Sequence, residues 1–358
     1  MTKLRWGFLS TAQIGRKNWN AIFNSGNSVV TAVASRDVAK ADGFIDDCQQ
    51  VAAFEHRPVA FGSYEGLLAS PEVDAVYIPL PTGLRQEWVL RAAAAGKHVL
   101  CEKPCAVDTT DLRAMIAACQ RQRVQFMDGV MFMHSPRLEA IRTALDDGAS
   151  VGAIRRIMTI FSFSGEHQEF ATNIRLQSAL EPAGCLGDLG WYCIRMALFA
   201  MRWEMPRQVS GRMLAHAADS NVPTQFSGEL VFGDGASAGF YCSFLTESQQ
   251  WFNVSGAKGN LRVPDFVHPF NSYEPAFEVN GTERRVTAPP GVKIPTDAAA
   301  LRDFGHPTAQ DTNMIRNFAN QVRTGKLNVN WPEIALKTQL VLDACLSSAR
   351  DDGRTVTL

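Results

Sequence analysis

The chain has 358 residues, of which 46% are hydrophobic and 20% charged, and its formal net charge is −1. This length predicts about two globular domains with substantial cores. The balanced charge, without a dense lysine or arginine block, argues against nucleic acid or an anionic membrane as a partner and favours a small-molecule ligand. The N-terminus enters an apolar strand pattern without a signal segment, and no apolar run reaches transmembrane length, which predicts a soluble, cytoplasmic protein.

The cysteine and histidine patterns predict neither disulfides nor a metal site. The eight cysteines contain no CxxC pair, and several lie in apolar runs, as Cys242 does within 240–244. Buried free thiols are therefore expected. The seven histidines show neither HxH nor HExxH spacing, so no zinc site is predicted.

The first predicted unit is a strand over 4–9 and a helix over 13–25, joined by the sequence STAQIG. A dinucleotide-binding GxGxxG turn falls in this register, but Ser10 and Ala12 stand at two glycine positions and only Gly15 is kept. Small residues still let a pyrophosphate approach the backbone at a helix N-terminus, although the motif alone is weak. The residues expected to contact the cofactor here are Ser10, Thr11, Ala12 and Ile14.

A second strand, predicted over 29–34, ends at Ser35, Arg36 and Asp37. In a Rossmann unit this tip meets the adenosine ribose, where an acid would hold the 2′-hydroxyl of NAD. A hydroxyl followed by a guanidinium suits the 2′-phosphate of NADP, through charge-assisted hydrogen bonds. Alternatively Arg36 is a solvated loop residue, and Asp37 is the N-cap of the next helix in either case. NADP is preferred, with NAD as the alternative.

Strand patterns recur after helical or turn stretches at 59–61, 75–78, 98–101 and 124–127. This alternation predicts a doubly wound, mostly parallel sheet, forming an α/β Rossmann domain over residues 1–130. Pro79, Leu80 and Pro81 form a stiff loop after one strand. The loop either lines the nicotinamide ribose or simply connects the strand to the next helix.

The strand at 98–101 ends in Glu102, Lys103 and Pro104. A helix pattern over 84–96 precedes it, and Asp108 and Thr109 open another helix. Open α/β sheets place their chemistry at this edge, and Pro104 biases Lys103 toward an extended backbone. Taken alone, the tip is equally well explained as a solvated strand end.

After residue 133 the pattern changes to a helix over 136–146 and strands near 154–163, 209–214, 227–232, 236–245 and 251–256. Hairpin turns are predicted at 233–235, 256–260 and 280–281. These features predict a second, α+β domain over residues 131–358 with a large, mostly antiparallel sheet. Several strands are apolar on both faces, which favours a homodimer through the sheet. Two C-terminal helices, over 311–323 and 332–350, are expected to pack back near the first domain or the interdomain cleft.

Within this domain a glycine-rich turn leads into a buried helix that carries Asp188 and Tyr192. The two residues are four apart, so they leave one helix face and can reach a common substrate oxygen. A helix-terminal acid beside a core tyrosine explains the same pattern without chemistry. Polar residues before the turn are candidate substrate contacts: His167, Asn173, Arg175 and Gln177.

Together, Glu102-Lys103-Pro104 at a strand end, the phosphate turn and Gly187-Asp188-x3-Tyr192 resemble the glucose–fructose oxidoreductase, inositol dehydrogenase and rhizopine catabolism (Gfo/Idh/MocA) family. The resemblance runs nearly end to end. The STA turn and the LPTGLR stretch are similar to members grouped with D-xylose dehydrogenase and trans-dihydrodiol dehydrogenase. The family resemblance implies a Rossmann domain, an open-faced sheet domain that often dimerises through its sheet, and a bound nicotinamide cofactor.

The resemblance also implies residue roles. Lys103 is implied as the catalytic lysine, Tyr192 as the acid/base at a position often occupied by histidine, and Asp188 as its acidic partner. Glu102 and the loop Pro79-Leu80-Pro81 are implied at the nicotinamide ribose. Arg85 is included among the cofactor contacts, but it stands where many members have a histidine, which leaves its contact open.

The expected reaction is reversible hydride transfer between a secondary alcohol of a sugar, cyclitol or dihydrodiol and C4 of NADP. Tyr192 would move the hydroxyl proton, and a cationic Lys103 would lower the pKa of the phenol and polarise the forming carbonyl. A catalytically silent NADP-binding regulator and an NAD-dependent glycosidase are the alternatives. A short-chain dehydrogenase is excluded, because no tyrosine is followed by lysine at YxxxK spacing.

Overall fold

The computed structural model describes residues 2–165, 173–218 and 220–358, which form two compact units. The first unit comprises Met1–Ala106, Thr110–Ser135 and Asp303–Ala335. The second comprises Val107–Thr109, Pro136–Arg302 and Leu336–Leu358. A boundary at residue 130 therefore leaves out a C-terminal segment that belongs to the first unit.

The first unit is built on a six-stranded parallel sheet with the strand order β3-β2-β1-β4-β5-β6. Its strands are β1 (Leu4–Leu9), β2 (Ser28–Ala34), β3 (Val59–Phe61), β4 (Ala75–Ile78), β5 (His98–Cys101) and β6 (Phe126–Asp128). Its helices are α1 (Gln13–Ser25), α2 (Val38–Val51), α3 (Tyr64–Leu68), α4 (Thr82–Ala94) and α5 (Thr109–Arg121). The strand order reverses between β1 and β4, which is the switch point where doubly wound sheets bind ligands.

The sequence pattern explains these elements closely. The strands β4 and β5 are almost wholly buried, as expected for parallel strands covered on both faces. Five of the six strands lie within one residue of their predicted bounds, whereas β6 begins two residues later than predicted. The helix α4 begins at Thr82, two residues before its predicted start, because the Pro79–Pro81 loop leads directly into it.

The C-terminal helix α8 (Gln310–Arg323) belongs to the first unit. The rings of Trp6 and Phe318 lie 5.0 Å apart, and Phe318 stacks on Trp331 at 6.3 Å. Lys17 forms an ion pair with Asp311 at 2.9 Å, and burial raises the pKa of that carboxyl above its ordinary value. These contacts hold α8 on the first unit.

The second unit is built on a nine-stranded sheet with the order β14-β13-β12-β11-β7-β10-β9-β8-β15. Its strands are β7 (Ile154–Ser164), β8 (Gln208–His216), β9 (Pro223–Val231), β10 (Ser237–Ser243), β11 (Leu245–Gly256), β12 (Asn260–Val263), β13 (Ala276–Val279), β14 (Thr282–Arg285) and β15 (Val356–Thr357). The helices α6 (Arg137–Asp146), α7 (Trp191–Ala200) and most of α9 (Asn330–Arg350) accompany it.

The fold class predicted from the sequence is confirmed, with one local difference. Adjacent strands of the nine-stranded sheet are antiparallel, apart from β7 and β10, which pair in parallel. A parallel pair needs a long crossover, and the intervening chain, which includes α7, supplies it. The predicted hairpin turns at 233–235, 256–260 and 280–281 connect antiparallel neighbours.

All eight cysteines are buried and unbonded, as expected from their apolar surroundings. Within the described ranges, none of the helices combines the length and apolarity that crossing a bilayer requires.

One buried ion pair offers a test of the second unit. Arg137 of α6 pairs with Asp265 and also donates to the Ala276 carbonyl at 2.9 Å. The two side chains are only 2% and 7% exposed. Removing Asp265 takes away the carboxylate that compensates the buried charge of Arg137. Asp265→Ala should therefore lower the free energy of unfolding by about 3–5 kcal/mol. Urea unfolding followed by tryptophan fluorescence measures this loss.

The matched control is Arg212→Ala, which breaks an exposed pair with Asp352 and should change stability by less than about 0.5 kcal/mol. If Asp265→Ala cost no more than Arg212→Ala, the buried pair would have no special part in stabilising the second unit.

Candidate functional site

The turn between β1 and α1 resembles a phosphate-binding turn in which serine and alanine replace two of the three glycines. Ser10 adopts a φ of 141°, a region that glycine reaches far more easily than serine. Its hydroxyl accepts a hydrogen bond from the Ala12 amide at 2.9 Å, which holds the turn. Among the described residues, no side chain caps the N-terminus of α1. The N–H groups there suit an anion such as a pyrophosphate.

Gly15, the glycine that the turn retains, lies where α1 packs closely on aromatic rings. A Cβ at this position would lie 3.1 Å from Phe44 and 3.6 Å from the ring of Phe8. The third glycine of a dinucleotide-binding turn has this role, because it lets the helix approach the sheet closely. The residues of the turn therefore fit a dinucleotide.

The tip of β2 carries Ser35, Arg36 and Asp37. Asp37 caps α2 by accepting a hydrogen bond from the Ala39 amide at 3.0 Å, as predicted. Ser35 is buried, whereas Arg36 is exposed. Burial raises the pKa of the neighbouring Tyr64 phenol, and the positive charge of Arg36 opposes that shift. Arg36 thus presents its guanidinium at the surface.

The carboxylate of Glu102, directly after β5, is held by a chain of buried hydrogen bonds. The Tyr77 hydroxyl donates to Glu102 Oε1 at 2.6 Å, and Asn18 Nδ2 donates to the Tyr77 oxygen at 2.7 Å. A Cβ on Gly129 would lie 3.1 Å from Glu102 Oε1, so this glycine leaves room for the carboxylate. Burial and the charge of Glu102 raise the pKa of Tyr77 well above its ordinary value, which keeps the phenol a donor.

Lys103 follows this anchored glutamate and is half-buried. Its amide donates to Glu102 Oε2 at 3.3 Å, and its peptide bond to Pro104 is cis. Arg85, in the first turn of α4, donates to the carbonyls of Leu80 and Pro104. The strand tip therefore presents a lysine between two residues whose positions are fixed by buried groups.

The second unit contains a separate cluster of polar residues around Asp188. This residue lies in a π-helical turn, Leu186–Gly190, that opens directly into α7. Such turns are rare and recur at functional sites. Gly184, two residues before this turn, has a φ of 46°, and a Cβ there would lie 2.2 Å from the Pro223 carbonyl oxygen.

Arg175 is the charged partner of Asp188. Its Nε donates to Asp188 Oδ2 at 2.8 Å, and Asn173 accepts from the Arg175 amide at 3.1 Å. The Asp188 carboxylate raises the pKa of the Arg175 guanidinium, which lies partly buried. A phenolate at Tyr192 would raise the pKa of Arg175 further, so the phenol lies close enough to the guanidinium for their charges to interact.

Tyr192 is 6% exposed, and its ring packs edge-on against Phe161 of β7 at 5.5 Å. The packing leaves the ring little rotational freedom. Tyr192, Asp188 and Arg175 thus form one cluster within the second unit, and a carboxylate, a guanidinium and a phenol together can bind and deprotonate a hydroxyl.

The predicted site residues fall into two sets, one in each unit. The first unit holds Ser10, Thr11, Ala12, Ile14, Ser35, Arg36, Pro79, Leu80, Pro81, Arg85, Glu102 and Lys103. The second holds Arg175, Asp188 and Tyr192, while His167 lies outside the described residues. Their roles stay predictions. The sequence interpretation missed Tyr77 and Asn18, which read as ordinary strand and helix residues because their partner is distant in the chain.

Two family profiles match the chain. The profile of the Gfo/Idh/MocA oxidoreductase family, described by its NAD-binding Rossmann fold, matches residues 4–130. The profile of the Gfo/Idh/MocA C-terminal domain matches residues 138–262.

Curated relatives match nearly the whole chain. An NADP-dependent D-xylose 1-dehydrogenase of Haloferax volcanii is 31% identical over 355 residues, covering 99% of this chain and 100% of that protein. A trans-1,2-dihydrobenzene-1,2-diol dehydrogenase of Mus musculus is 31% identical over 289 residues, covering 80% of each.

A crystal structure supports the same relationship. The 3-ketoreductase KijD10 of Actinomadura kijaniata, in complex with NADP and TDP-benzene, has a TM-score of 0.80 to this structure at 26% identity. The match covers 97% of this chain and 98% of that one. The resemblance predicted from the strand-tip lysine and the Asp-x3-Tyr motif is thereby confirmed, and the chain belongs to the Gfo/Idh/MocA family of oxidoreductases.

Proposed function

We propose that the protein is an NADP-dependent dehydrogenase or reductase that interconverts a secondary alcohol and a carbonyl on a sugar, cyclitol or dihydrodiol. The observation that carries the proposal is the tip of β5, where Tyr77 anchors Glu102 immediately before Lys103 at the carboxyl edge of a doubly wound sheet. The names of the D-xylose and dihydrodiol dehydrogenases support the substrate class.

The residues of the first unit would hold the cofactor. The turn from Ser10 to Ile14 and the N–H groups of α1 would bind the pyrophosphate. Arg36 and Ser35 would bind the 2′-phosphate, and Glu102 with the Pro79–Pro81 loop would meet the nicotinamide ribose. When bound, the nicotinamide supplies a hydride acceptor or donor at C4. The NADP named for two of the relatives supports NADP over NAD.

The acid–base work is proposed for Lys103 and the second-unit cluster. Tyr192 would take the proton of the substrate hydroxyl during oxidation and return it during reduction. Lys103 would place its ammonium at the same oxygen and stabilise developing negative charge. Asp188, held by Arg175, would accept a hydrogen bond from a second substrate hydroxyl or from Tyr192. General acid–base assistance of this kind contributes about 10²–10⁴ in rate.

We also propose a dimer through the nine-stranded sheet and a cytoplasmic location. Leu214 and Leu245 are exposed apolar residues on strands of this sheet, which supports an interface. Eight buried, unbonded thiols are typical of a reducing compartment. Light scattering during gel filtration measures the assembly.

Replacing Lys103 tests the catalytic role. Lys103→Ala should lower kcat by about 10²–10⁴ because the positive charge at the reacting oxygen is lost. The measurement is NADPH absorbance at 340 nm over a panel of aldoses, cyclitols and dihydrodiols, with Lys40→Ala on the exposed face of α2 as control. Near-normal turnover by Lys103→Ala on a substrate that the wild type accepts would sink the proposal.

Replacing Arg36 tests the cofactor choice. A charge-assisted hydrogen bond is worth about 1.5–3 kcal/mol, so Arg36→Ala should weaken NADPH binding by about 10- to 100-fold and leave NADH binding nearly unchanged. Fluorescence titration of each nucleotide measures both dissociation constants. Equal weakening of the two would refute a contact with the 2′-phosphate.

A further inference from the structure

Arg85 is a buried cation at a position where the helix does not favour one. It lies in the first turn of α4, and the residue is only 6% exposed. The positive end of a helix dipole disfavours a cation there, and the sequence Thr-Gly-Leu-Arg places no acidic residue in that turn. Helix stability therefore does not explain this arginine.

The hydrogen bonds of Arg85 instead connect two loops at the carboxyl edge of the sheet. Nε donates to the Leu80 carbonyl at 2.7 Å, in the loop after β4. Nη1 donates to Thr82 Oγ1 at 3.0 Å and to the Pro104 carbonyl, which follows Lys103. A guanidinium suits this task because its donors project in a fixed planar fork.

The opposite side of Lys103 is anchored as well. Tyr77 donates to the Glu102 carboxylate at 2.6 Å, so the residue before the lysine is held through its side chain. The residue after the lysine is held through its carbonyl by Arg85. The positive charge of Arg85 also lowers the pKa of Tyr77, which opposes the larger effects of burial and of Glu102.

We infer that Arg85 is a positioning residue that fixes the backbone beside Lys103 to the Pro79–Pro81 loop, rather than a residue that touches the cofactor. The inference rests on the proposed function, in which Lys103 acts on the substrate oxygen. A displacement of about 1 Å at a reacting group costs on the order of 10²-fold in rate. By holding the Pro104 carbonyl, Arg85 would therefore affect the rate of the reaction through the position of Lys103.

The test is Arg85→Ala, with Arg85→Lys as a second variant and Arg91→Ala as control on the exposed face of the same helix. Arg85→Ala should lower kcat by about 10²-fold, with the NADPH dissociation constant within about twofold of wild type. Guanidinium chloride at low concentration should restore part of the kcat of Arg85→Ala, with sodium chloride as the salt control. Arg85→Lys should remain slow, because an ammonium cannot reproduce the planar fork.

A result of the opposite kind would overturn the inference. Weaker NADPH binding with an unchanged kcat would make Arg85 a cofactor contact. A lower melting temperature with kcat unchanged, or a loss of kcat without guanidinium rescue, would make its role merely structural. If Arg85→Ala fails to fold, Arg85→Lys decides the same question through its kcat and NADPH affinity.

Amide hydrogen exchange separates this inference from the proposed function. Loss of the anchor should make the Glu102 and Cys105 amides of Arg85→Ala or Arg85→Lys exchange at least about tenfold faster, without any substrate. If the wild type oxidises none of the panel substrates while this exchange effect appears, the proposed function fails and the anchoring stands. Unchanged exchange in the variants would refute the anchoring whatever the activity.

Discussion

A charged or polar group that leaves water must find partners in the protein, and this constraint arranges the strand tips of the first unit. The Glu102 carboxylate is buried and is stabilised by the Tyr77 hydroxyl, whose oxygen in turn accepts from Asn18. The Arg85 guanidinium is buried and is stabilised by two carbonyls and a hydroxyl. Satisfying these two groups fixes the backbone before and after Lys103.

The same constraint organises the second unit at two places. Arg175 pairs with Asp188 in the π-helical turn, and Arg137 pairs with Asp265 beside the sheet. The pair of Arg175 and Asp188 is partly exposed, so either side chain can hydrogen-bond a ligand in place of the other. The second pair is nearly inaccessible to solvent and serves stability. Exposure, rather than residue type, separates the candidate functional pair from the structural one.

The turn between β1 and α1 resembles a phosphate-binding turn although two of its glycines are replaced. Ser10 takes up the positive φ that glycine would supply, and its own hydroxyl bonds the Ala12 amide to hold that conformation. Strain of this kind costs on the order of 1–3 kcal/mol and persists where the surrounding structure enforces it. Gly15 is kept, and a Cβ there would press on Phe44 at 3.1 Å, so a larger residue would require the Phe44 ring to shift.

The sequence by itself determined the alternation of strands and helices in the first unit, the change to a mostly antiparallel sheet in the second, and the placement of Lys103 at a strand tip. These features depend on periodicity and turn residues within short stretches, which are legible without the fold. The sequence also singled out Arg175 and Asp188, but only the fold paired them across 13 positions. Only the tertiary structure showed that Tyr77 donates to the Glu102 carboxylate, 25 positions away, and that Arg85 donates to the Pro104 carbonyl, 19 positions away. Those partners are chosen by which strand ends meet at one edge of a sheet, and no local pattern of residues encodes that meeting.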